Sequence, residues 1–174
     1  MAHSQLTATP DRLFARLDEL GIAYRTVTHS AVFTVEEAKT HRGAIEGGHT
    51  KNLFLKDKQD RLFLAVTLED CPVDLKALGP LIGAGRLSFA TPELLRLHLG
   101  VEPGSVTPFA LINDRDARVV PVLDRAMLDV ALLNFHPLVN TATTAISSEG
   151  LVRFIEACGH KPLILRFPRA VRAV

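Results

Sequence analysis

The stretch Thr50-Lys51-Asn52-Leu53-Phe54-Leu55-Lys56-Asp57 decides how the rest of the chain is interpreted. Its short apolar run follows a lysine and an amide, and it ends in a charged turn. The apolar segment Arg61 to Thr67 comes next and indicates a partner strand in a hairpin. A glycine-containing loop, Gly43 to His49, precedes the run. We therefore expect Lys51 and Asn52 at the mouth of a buried strand, at the end of a flexible loop, where functional polar groups are often held.

Length and composition predict one globular domain spanning residues 1–174. The chain is 47% hydrophobic and 22% charged, which is enough apolar material for a real core. It contains no apolar run of the roughly 18 residues that span a bilayer, and its first residues lack the pattern of a signal peptide. Cys71 and Cys158 belong to no CxxC pair, so we expect two small core residues in a reducing cytoplasm. A net charge of +1 supplies no general attraction to nucleic acid, so any RNA contact must be local.

Alternating helix and strand patterns predict an α/β fold, with a mixed, largely antiparallel sheet of about seven strands flanked by four or five helices. A helix is expected over 10–20, stopped by Gly21, and a capping box starting at Thr34 predicts another to about residue 41. Thr91 followed by Pro92 predicts a third helix, with leucines 94, 95, 97 and 99 on its buried face. Residues 109–113 and 118–123 are expected to form a pair of strands, and 169–174 a frayed tail.

Several more specific chemistries are excluded because the sequence lacks the motifs that they require. The segment Gly47 to Lys51 fails the phosphate-loop pattern, because the lysine does not directly follow a glycine and a strand comes next. None of the seven histidines belongs to an HExxH or a Cys/His ligand group. No GxSxG sequence is present, and neither cysteine has the setting of a nucleophile. We therefore expect no metal and no cofactor.

Three polar features remain, and each has a plain structural explanation. Without a functional role, Lys51-Asn52 would be a solvated strand end. Likewise, Gly104-Ser105-Val106-Thr107-Pro108 would be a surface turn. Asn134-Phe135-His136-Pro137 is explained as a strand that ends at a proline, with His136 bonded to backbone. The functional alternative for the glycine loop is that its rigid N–H and C=O groups hold an amine or a carbonyl.

Taken together, the motifs resemble the YbaK/prolyl-tRNA-synthetase-associated editing family, and most closely its free-standing ProXp-ala (PrdX) branch. The resemblance covers nearly the whole chain, from about Leu6 to Phe167. The matching segments occur in the family's order and spacing: 28–38, 50–57, 104–108 and 134–138. The resemblance implies a compact mixed α/β domain that hydrolyses alanine mischarged onto proline tRNA.

The resemblance also implies roles for residues. No strong general base or nucleophile stands out, so positioning and electrostatics are expected to carry the rate. Lys51 would grip the 3′-terminal nucleotide or stabilise developing negative charge, and Asn52 would orient the lysine or the ester. The backbone at Gly104, which allows close approach, would hold the α-amine and the attacking water. Further substrate-binding residues lie in the same segments: Val32, Phe33 and Val106 as pocket walls, His136 near the mouth, and Thr50, Ser105 and Pro108.

The expected partner is the acceptor end of tRNA(Pro), with prolyl-tRNA synthetase or an elongation factor as transient partners and no membrane contact. Two alternatives stay open at this point. The same fold could edit cysteine or serine on tRNA(Pro), because one methylene in an apolar pocket discriminates by only about 1–3 kcal/mol. The other alternative is a module that binds aminoacyl-tRNA or a synthetase without hydrolysis, or one that has a regulatory role.

Overall fold

The computed structural model describes residues 7–30 and 45–171, and a single mixed sheet runs through them. Its order is β1-β7-β6-β2-β3-β5-β8, with β4 paired to β2. The strands are β1 Tyr24–Thr28, β2 Gly48–Lys56, β3 Leu62–Leu68, β4 Ser88–Phe89, β5 Val119–Asp124, β6 Leu132–Phe135, β7 Ala142–Ser147 and β8 Leu163–Leu165. Four pairings are antiparallel and three are parallel. The predicted mixed, largely antiparallel α/β sheet is confirmed.

Each helix begins where a short polar side chain can accept a backbone N–H bond. The helices are α1 Pro10–Glu19, α2 Leu75–Leu81, α3 Pro92–Leu99, α4 Arg125–Leu128 and α5 Ser148–Ala157, with a 3₁₀ helix, η1, at Pro108–Asn113. The capping side chains are Thr9, Asp74, Thr91, Thr107, Asp124 and Ser147. Such caps satisfy donors that have no partner within the helix, so the sequence fixes where these elements start.

The two faces of the sheet bury two separate apolar clusters. Side chains of one face join α1, α3, α4, α5 and η1 in the main core, and Phe54, Leu64 and Phe135 are among them. The opposite face packs Leu55 and Phe63 against α2. Successive side chains of a strand point to opposite faces. Along β2, the odd-numbered residues therefore face α2 and the even-numbered ones face the main core.

The predicted strand over 109–113 is wrong, because those residues form η1. The Thr107 hydroxyl accepts the Phe109 N–H, and Pro108 supplies a backbone angle suited to a first helical turn. Consequently β5 has no hairpin partner, and it pairs in parallel with β3. An apolar run of this length fits either element, and the cap decides between them.

Two smaller expectations are also wrong, and one lies outside the described residues. Leu97 is 74% exposed, because α3 buries Leu95 and Leu99 on one side only. The segment from Arg169 is not simply frayed, since Arg169 bridges to Val73. The helix predicted over 34–41 falls outside the described residues.

Candidate functional site

Strand β2 changes its neighbour part of the way along one edge. Its first residues pair in parallel with β6, through Gly48 to Leu133 and His49 to Asn134. Its last residues pair with β4, where Leu55 lies opposite Phe89. Between these two pairings, residues 51–53 have β3 as their only partner strand in the described part of the chain. The sheet is therefore split at the lysine-asparagine pair.

The prediction that Lys51 and Asn52 stand at the mouth of a strand is wrong. β2 begins at Gly48, so the pair lies in the middle of a nine-residue strand. The strand extends this far because glycine lets the chain lie against β6. A Cβ on Gly47 (φ +101°) would lie 2.9 Å from both Asn134 Nδ2 and the Leu132 carbonyl oxygen. Lys51 and Asn52 therefore lie at the split in the sheet instead of at the end of a loop.

Lys51 is half-buried on the face that packs against α2. Its register partner is Thr67, whose hydroxyl donates a 2.6 Å hydrogen bond to the buried Asp124 carboxylate. Among the described residues, no carboxylate forms an ion pair with the Lys51 ammonium. A partly buried cation without a fixed counter-ion can interact strongly with an incoming negative charge.

Asn52 lies opposite Val66 and points to the main-core face. It does not share a face with Lys51, so a direct side-chain contact that orients the lysine is disfavoured. Its Oδ1 atom is buried and has no hydrogen-bond partner. The Phe54 carbonyl accepts a 2.9 Å bond from Ala90 at the β4 edge. Because backbone direction alternates along a strand, the main-chain groups of Asn52 face the split as well.

The loop from Gly104 to Pro108 is built into the main-core side. Gly104 has a φ of +93°, in the region that favours glycine. The Ser105 N–H donates to the Glu102 carbonyl, and the side chains of Ser105 and Thr107 are buried. Val106 packs against the main core, and Pro108 begins η1. The loop is therefore held in place by burial and by a backbone hydrogen bond, and it lies on the face of Asn52.

His136 follows directly after β6 and has a defined tautomer. Its Nδ1 lies 3.1 Å from the Ala142 carbonyl oxygen, which only accepts, so Nδ1 carries the proton and Nε2 presents a lone pair. Burial, together with the His29 ring at 6.5 Å, lowers the pKa of His136 below its ordinary value. His136 lies two residues beyond Asn134, and Lys51 lies two residues beyond His49, the register partner of Asn134. Both residues therefore follow the last positions at which β2 and β6 pair.

Asn134 lies at the junction of β2 and β6, and the sequence analysis gave no role to this first residue of the Asn134–Pro137 motif. Its Nδ2 donates to the Glu46 carbonyl at 2.8 Å and contacts the Gly48 carbonyl at 3.4 Å. Its Oδ1 is buried without a partner. The Asn134 carbonyl accepts the Thr50 hydroxyl at 2.7 Å, which places the predicted residue Thr50 at the junction of β2 and β6. The only available signal was its position one residue before Phe135 in the quoted motif.

Other chemistries find no support in the described part of the chain. No group of three or more His, Cys, Asp or Glu residues that could hold a metal ion occurs there. Cys71 is buried, and burial raises the pKa of the Cys158 thiol to about 12, so Cys158 is a poor nucleophile. Within residues 7–30 and 45–171, no helix is long and apolar enough to cross a bilayer. The predicted wall residues Val32 and Phe33 lie outside the described residues.

Solved structures share this architecture. The crystal structure of a candidate trans-editing enzyme for prolyl tRNA synthetase superposes with a TM-score of 0.70, covering 94% of this chain and all of the other. Its identity to this chain is 22%, so the similarity concerns the fold. The sequence comparison shows which family the chain belongs to. Residues 29–154 match the model of the aminoacyl-tRNA editing domain, and the chain belongs to this family.

Curated relatives agree over nearly the full length. The mouse prolyl-tRNA synthetase associated domain-containing protein 1 is 41% identical, over 96% of this chain and 99% of its own. The prolyl-tRNA editing protein ProX of Acetoanaerobium sticklandii is 36% identical, over 85% and 91% respectively. The multifunctional Ser/Thr-tRNA deacylase ProXp-y of Escherichia coli is 34% identical, over 85% and 93%. The relatives thus include a protein named for prolyl-tRNA editing and one named as a Ser/Thr-tRNA deacylase.

Proposed function

We propose that the chain is a trans-editing deacylase that hydrolyses the ester of Ala-tRNA(Pro) in the cytoplasm and so protects proline codons from mistranslation. The observation that carries the proposal is the half-buried Lys51 at the split in the sheet, between the residues of β2 that pair with β6 and those that pair with β4. Family membership and the relatives named for prolyl-tRNA editing support the reaction class.

The reaction is the attack of water on an ester carbonyl. A bond forms between the water oxygen and the carbonyl carbon, and negative charge develops on the carbonyl oxygen. The bond from that carbon to the ribose oxygen then breaks, and the ribose oxygen takes up a proton that the water gives up. The Lys51 ammonium lies where it can stabilise that charge or bind the terminal nucleotide. The lone pair on His136 Nε2 can accept a hydrogen bond from the attacking water. Main-chain groups at Gly104 and the amide of Asn52 approach from the other face and can orient the aminoacyl group.

Alanine selectivity requires a small pocket. Val106 supplies part of its wall from the rigid Gly104–Pro108 loop, where Ser105 and Pro108 hold the backbone. Val32 and Phe33 complete the proposed wall from a neighbouring segment. A wall of this kind admits alanine and excludes proline by size, which is the logic of a second sieve.

The proposed macromolecular partner is the acceptor end of tRNA(Pro), together with transient contacts to prolyl-tRNA synthetase or an elongation factor. Exposed Lys58 and half-buried Lys56 lie near the β2–β3 turn and can contact phosphates. Binding should therefore weaken with added salt.

A second candidate function is supported by the bacterial relative that is a Ser/Thr-tRNA deacylase. The same site would then remove serine, or cysteine, from tRNA. A module that binds tRNA or a synthetase without hydrolysis is a third candidate, and the presence of Lys51 together with the Gly104–Pro108 loop favours the enzyme over it.

A substrate panel separates these functions. The purified chain is mixed in excess with tRNA(Pro) charged with alanine, serine, cysteine or proline, and the ester remaining is followed in single turnover. We expect the fastest hydrolysis with alanine and almost none with proline. Faster release of serine or cysteine would move the assignment to the second candidate. If none of the four esters were hydrolysed, the chain would be assigned as the binding module.

A further inference from the structure

Lys51, Thr67 and Asp124 occupy one row across three neighbouring strands. Lys51 of β2 lies opposite Thr67 of β3. On the other side of Thr67, β3 pairs in parallel with β5 as far as Val66 and Leu123, so Thr67 and Asp124 are the next residues of these two strands. The Thr67 hydroxyl donates a 2.6 Å hydrogen bond to Asp124 Oδ2, which shows that their side chains share a face. The row therefore leads from β5 to the split at Lys51.

The two carboxylate oxygens of Asp124 have different partners. Oδ1 accepts the N–H of Ala126 at 3.2 Å, which caps α4, and the N–H of Phe167 at 3.1 Å, which ties down the segment after β8. Oδ2 accepts only the Thr67 hydroxyl. Asp124 is 2% exposed and forms no ion pair with any described residue. The cap and the tie therefore use one oxygen, and the other is directed along the row to Thr67.

The bond to Asp124 fixes the Thr67 side chain. A carboxylate oxygen only accepts, so the single hydroxyl proton of Thr67 is used in this bond. Its length lies in the range of charge-assisted O–H···O⁻ bonds, which are stronger than neutral ones. Thr67 is fully buried, and a β-branched side chain has few rotamers. The surface that Thr67 presents towards β2 therefore has one arrangement.

Lys51 is a side chain that needs such a surface. A lysine has a flexible four-carbon stem with large rotamer entropy, and the ammonium of Lys51 forms no ion pair with any described residue. Side chains directly opposite each other on antiparallel strands have Cβ atoms about 4.5–5.5 Å apart, which is contact distance for the stem. The packing of that stem therefore decides where the positive charge lies.

Thr67 also separates the cation from the buried anion. With strands about 4.8 Å apart, the backbones of Lys51 and Asp124 are about 10 Å apart. Three neutral donors satisfy the carboxylate: the Thr67 hydroxyl and two main-chain N–H groups. A direct ion pair would use the Lys51 charge on Asp124, whereas this arrangement leaves that charge for a ligand at the split.

Resting on the proposed function, we propose that Thr67, held by Asp124, positions the Lys51 side chain at the split for ester hydrolysis. Thr67 and Asp124 are positioning residues, because both are buried and act through Lys51. The stem of Lys51 lies on the fixed surface of Thr67, and its ammonium is thereby kept in the one place from which it reaches the ester.

The first test uses single-turnover hydrolysis of Ala-tRNA(Pro). Thr67→Val removes the hydroxyl and keeps the shape, so we expect the maximal rate to fall about tenfold, as for a misplaced catalytic group. The protein concentration that gives half of that rate should stay the same. Thr67→Ser keeps the hydroxyl and should restore the rate. A Thr67→Val protein with the wild-type maximal rate would overturn the proposal.

Two comparisons separate positioning from a general effect on the fold. Thr144→Val is the matched control, since Thr144 is a fully buried threonine of β7 that bonds to Thr26, and it should hydrolyse the ester at the wild-type rate. In a Lys51→Ala background, Thr67→Val should cause no further loss, because residues that act as a unit are not additive. The same tenfold loss in that background would show that Thr67 does not act through Lys51.

The second test needs no hydrolysis. The ¹³C order parameter of the Lys51 ε-carbon, assigned from its absence in Lys51→Arg, reports motion of the stem on the nanosecond scale. In the wild-type protein we expect a higher value than for exposed Lys161, and this comparison requires no Thr67 variant to fold. The value should fall in Thr67→Val and recover in Thr67→Ser. Equal mobility of Lys51 and Lys161 in the wild-type protein would contradict the proposal.

The outcomes distinguish this proposal from the proposed function. An ordered Lys51 that depends on Thr67, in a protein that does not hydrolyse the ester, would remove the deacylase assignment and keep the positioning contact. Hydrolysis that requires Lys51 but is the same in Thr67→Val would keep the deacylase and remove the positioning role.

Discussion

The Thr50 hydroxyl donates a 2.7 Å hydrogen bond to the main-chain carbonyl of Asn134 at the point where β2 and β6 part. Beyond this bond β6 runs on to His136, while β2 continues through Lys51 towards β4. The bond fixes the width of the split at its closed end. It therefore couples the packing of the sheet to the spacing of the groups proposed to act on the ester.

Removing this bond should impair the site more than the fold. Thr50→Val is expected to cost about 1 kcal/mol of unfolding free energy and to slow Ala-tRNA(Pro) hydrolysis several-fold, while Thr50→Ser retains both. Thr26→Val is the control, because Thr26 makes a similar 2.8 Å bond to Thr144 between β1 and β7. A Thr50→Val variant with wild-type single-turnover rates would show that the bond does not position the site.

The lowered pKa of His136 predicts the direction of a pH dependence. The unfolded imidazole titrates near 6.5, and the folded one titrates lower because burial and His29 disfavour its charge. The unfolded state therefore binds more protons as pH falls, so the stability present above the unfolded pKa is lost as pH falls through the folded pKa. Protonation also removes the Nε2 lone pair, so the hydrolysis rate should fall over the same acidic range.

His136→Gln provides the comparison. Chemical unfolding of both proteins between about pH 7 and about pH 5 should show a shallower pH dependence for the variant. Its rate at neutral pH should be lower, and the acidic limb assigned to His136 should be absent. If the two proteins have the same pH profiles, His136 titrates no differently in the folded and unfolded states.

Asp114 is predicted to stabilise the fold away from the site. Burial alone would raise its pKa, but hydrogen bonds from His160 and from the N–H groups of Val119 and Arg118 outweigh burial and lower it. Asp114→Ala leaves these donors unpaired, so we expect a loss of about 3 kcal/mol in urea unfolding. Asp116→Ala, on the exposed turn beside it, should change stability by less than about 0.5 kcal/mol. Similar losses for both variants would contradict the role of the buried network.

Val106 tests the proposed selectivity. Val106→Ala enlarges the proposed pocket without altering the charges of the site. The rate of alanine hydrolysis divided by the rate for larger amino acids should therefore fall by about tenfold or less. Val152→Ala removes the same atoms from another half-buried position against the main core and should leave the ratio unchanged. An unaltered ratio in Val106→Ala would remove Val106 from the pocket.

The caps explain why much of the fold could be predicted from the sequence. The helix expected from residue 10 begins at Pro10, and Thr91 precedes α3 at the expected residue, since a cap is a local interaction. The hairpin of β2 and β3 is likewise local, because its strands are joined by a short turn. The parallel pairing of β5 with β3 was missed because it joins distant segments, and no local pattern specifies such a register.

The site was predictable to a similar degree. Lys51 and the Gly104 loop could be proposed from the sequence because their motifs resemble those of the editing family. The change of neighbour along β2, from β6 to β4, could not be predicted, since it depends on where β6 ends and β4 begins. Asn134 was missed for the same reason, because its unpaired Oδ1 becomes visible only when β6 lies beside residues 46–48.

The central claim is that the Lys51 ammonium lowers the barrier to ester hydrolysis. Single-turnover hydrolysis of Ala-tRNA(Pro) by Lys51→Ala tests it most directly, with Lys161→Ala as an exposed-lysine control and circular dichroism to confirm folding. We predict a loss of at least about 100-fold for Lys51→Ala, as for removal of an oxyanion contact, and wild-type rates for the control. A folded Lys51→Ala protein that hydrolyses the ester at a near-normal rate would contradict the account.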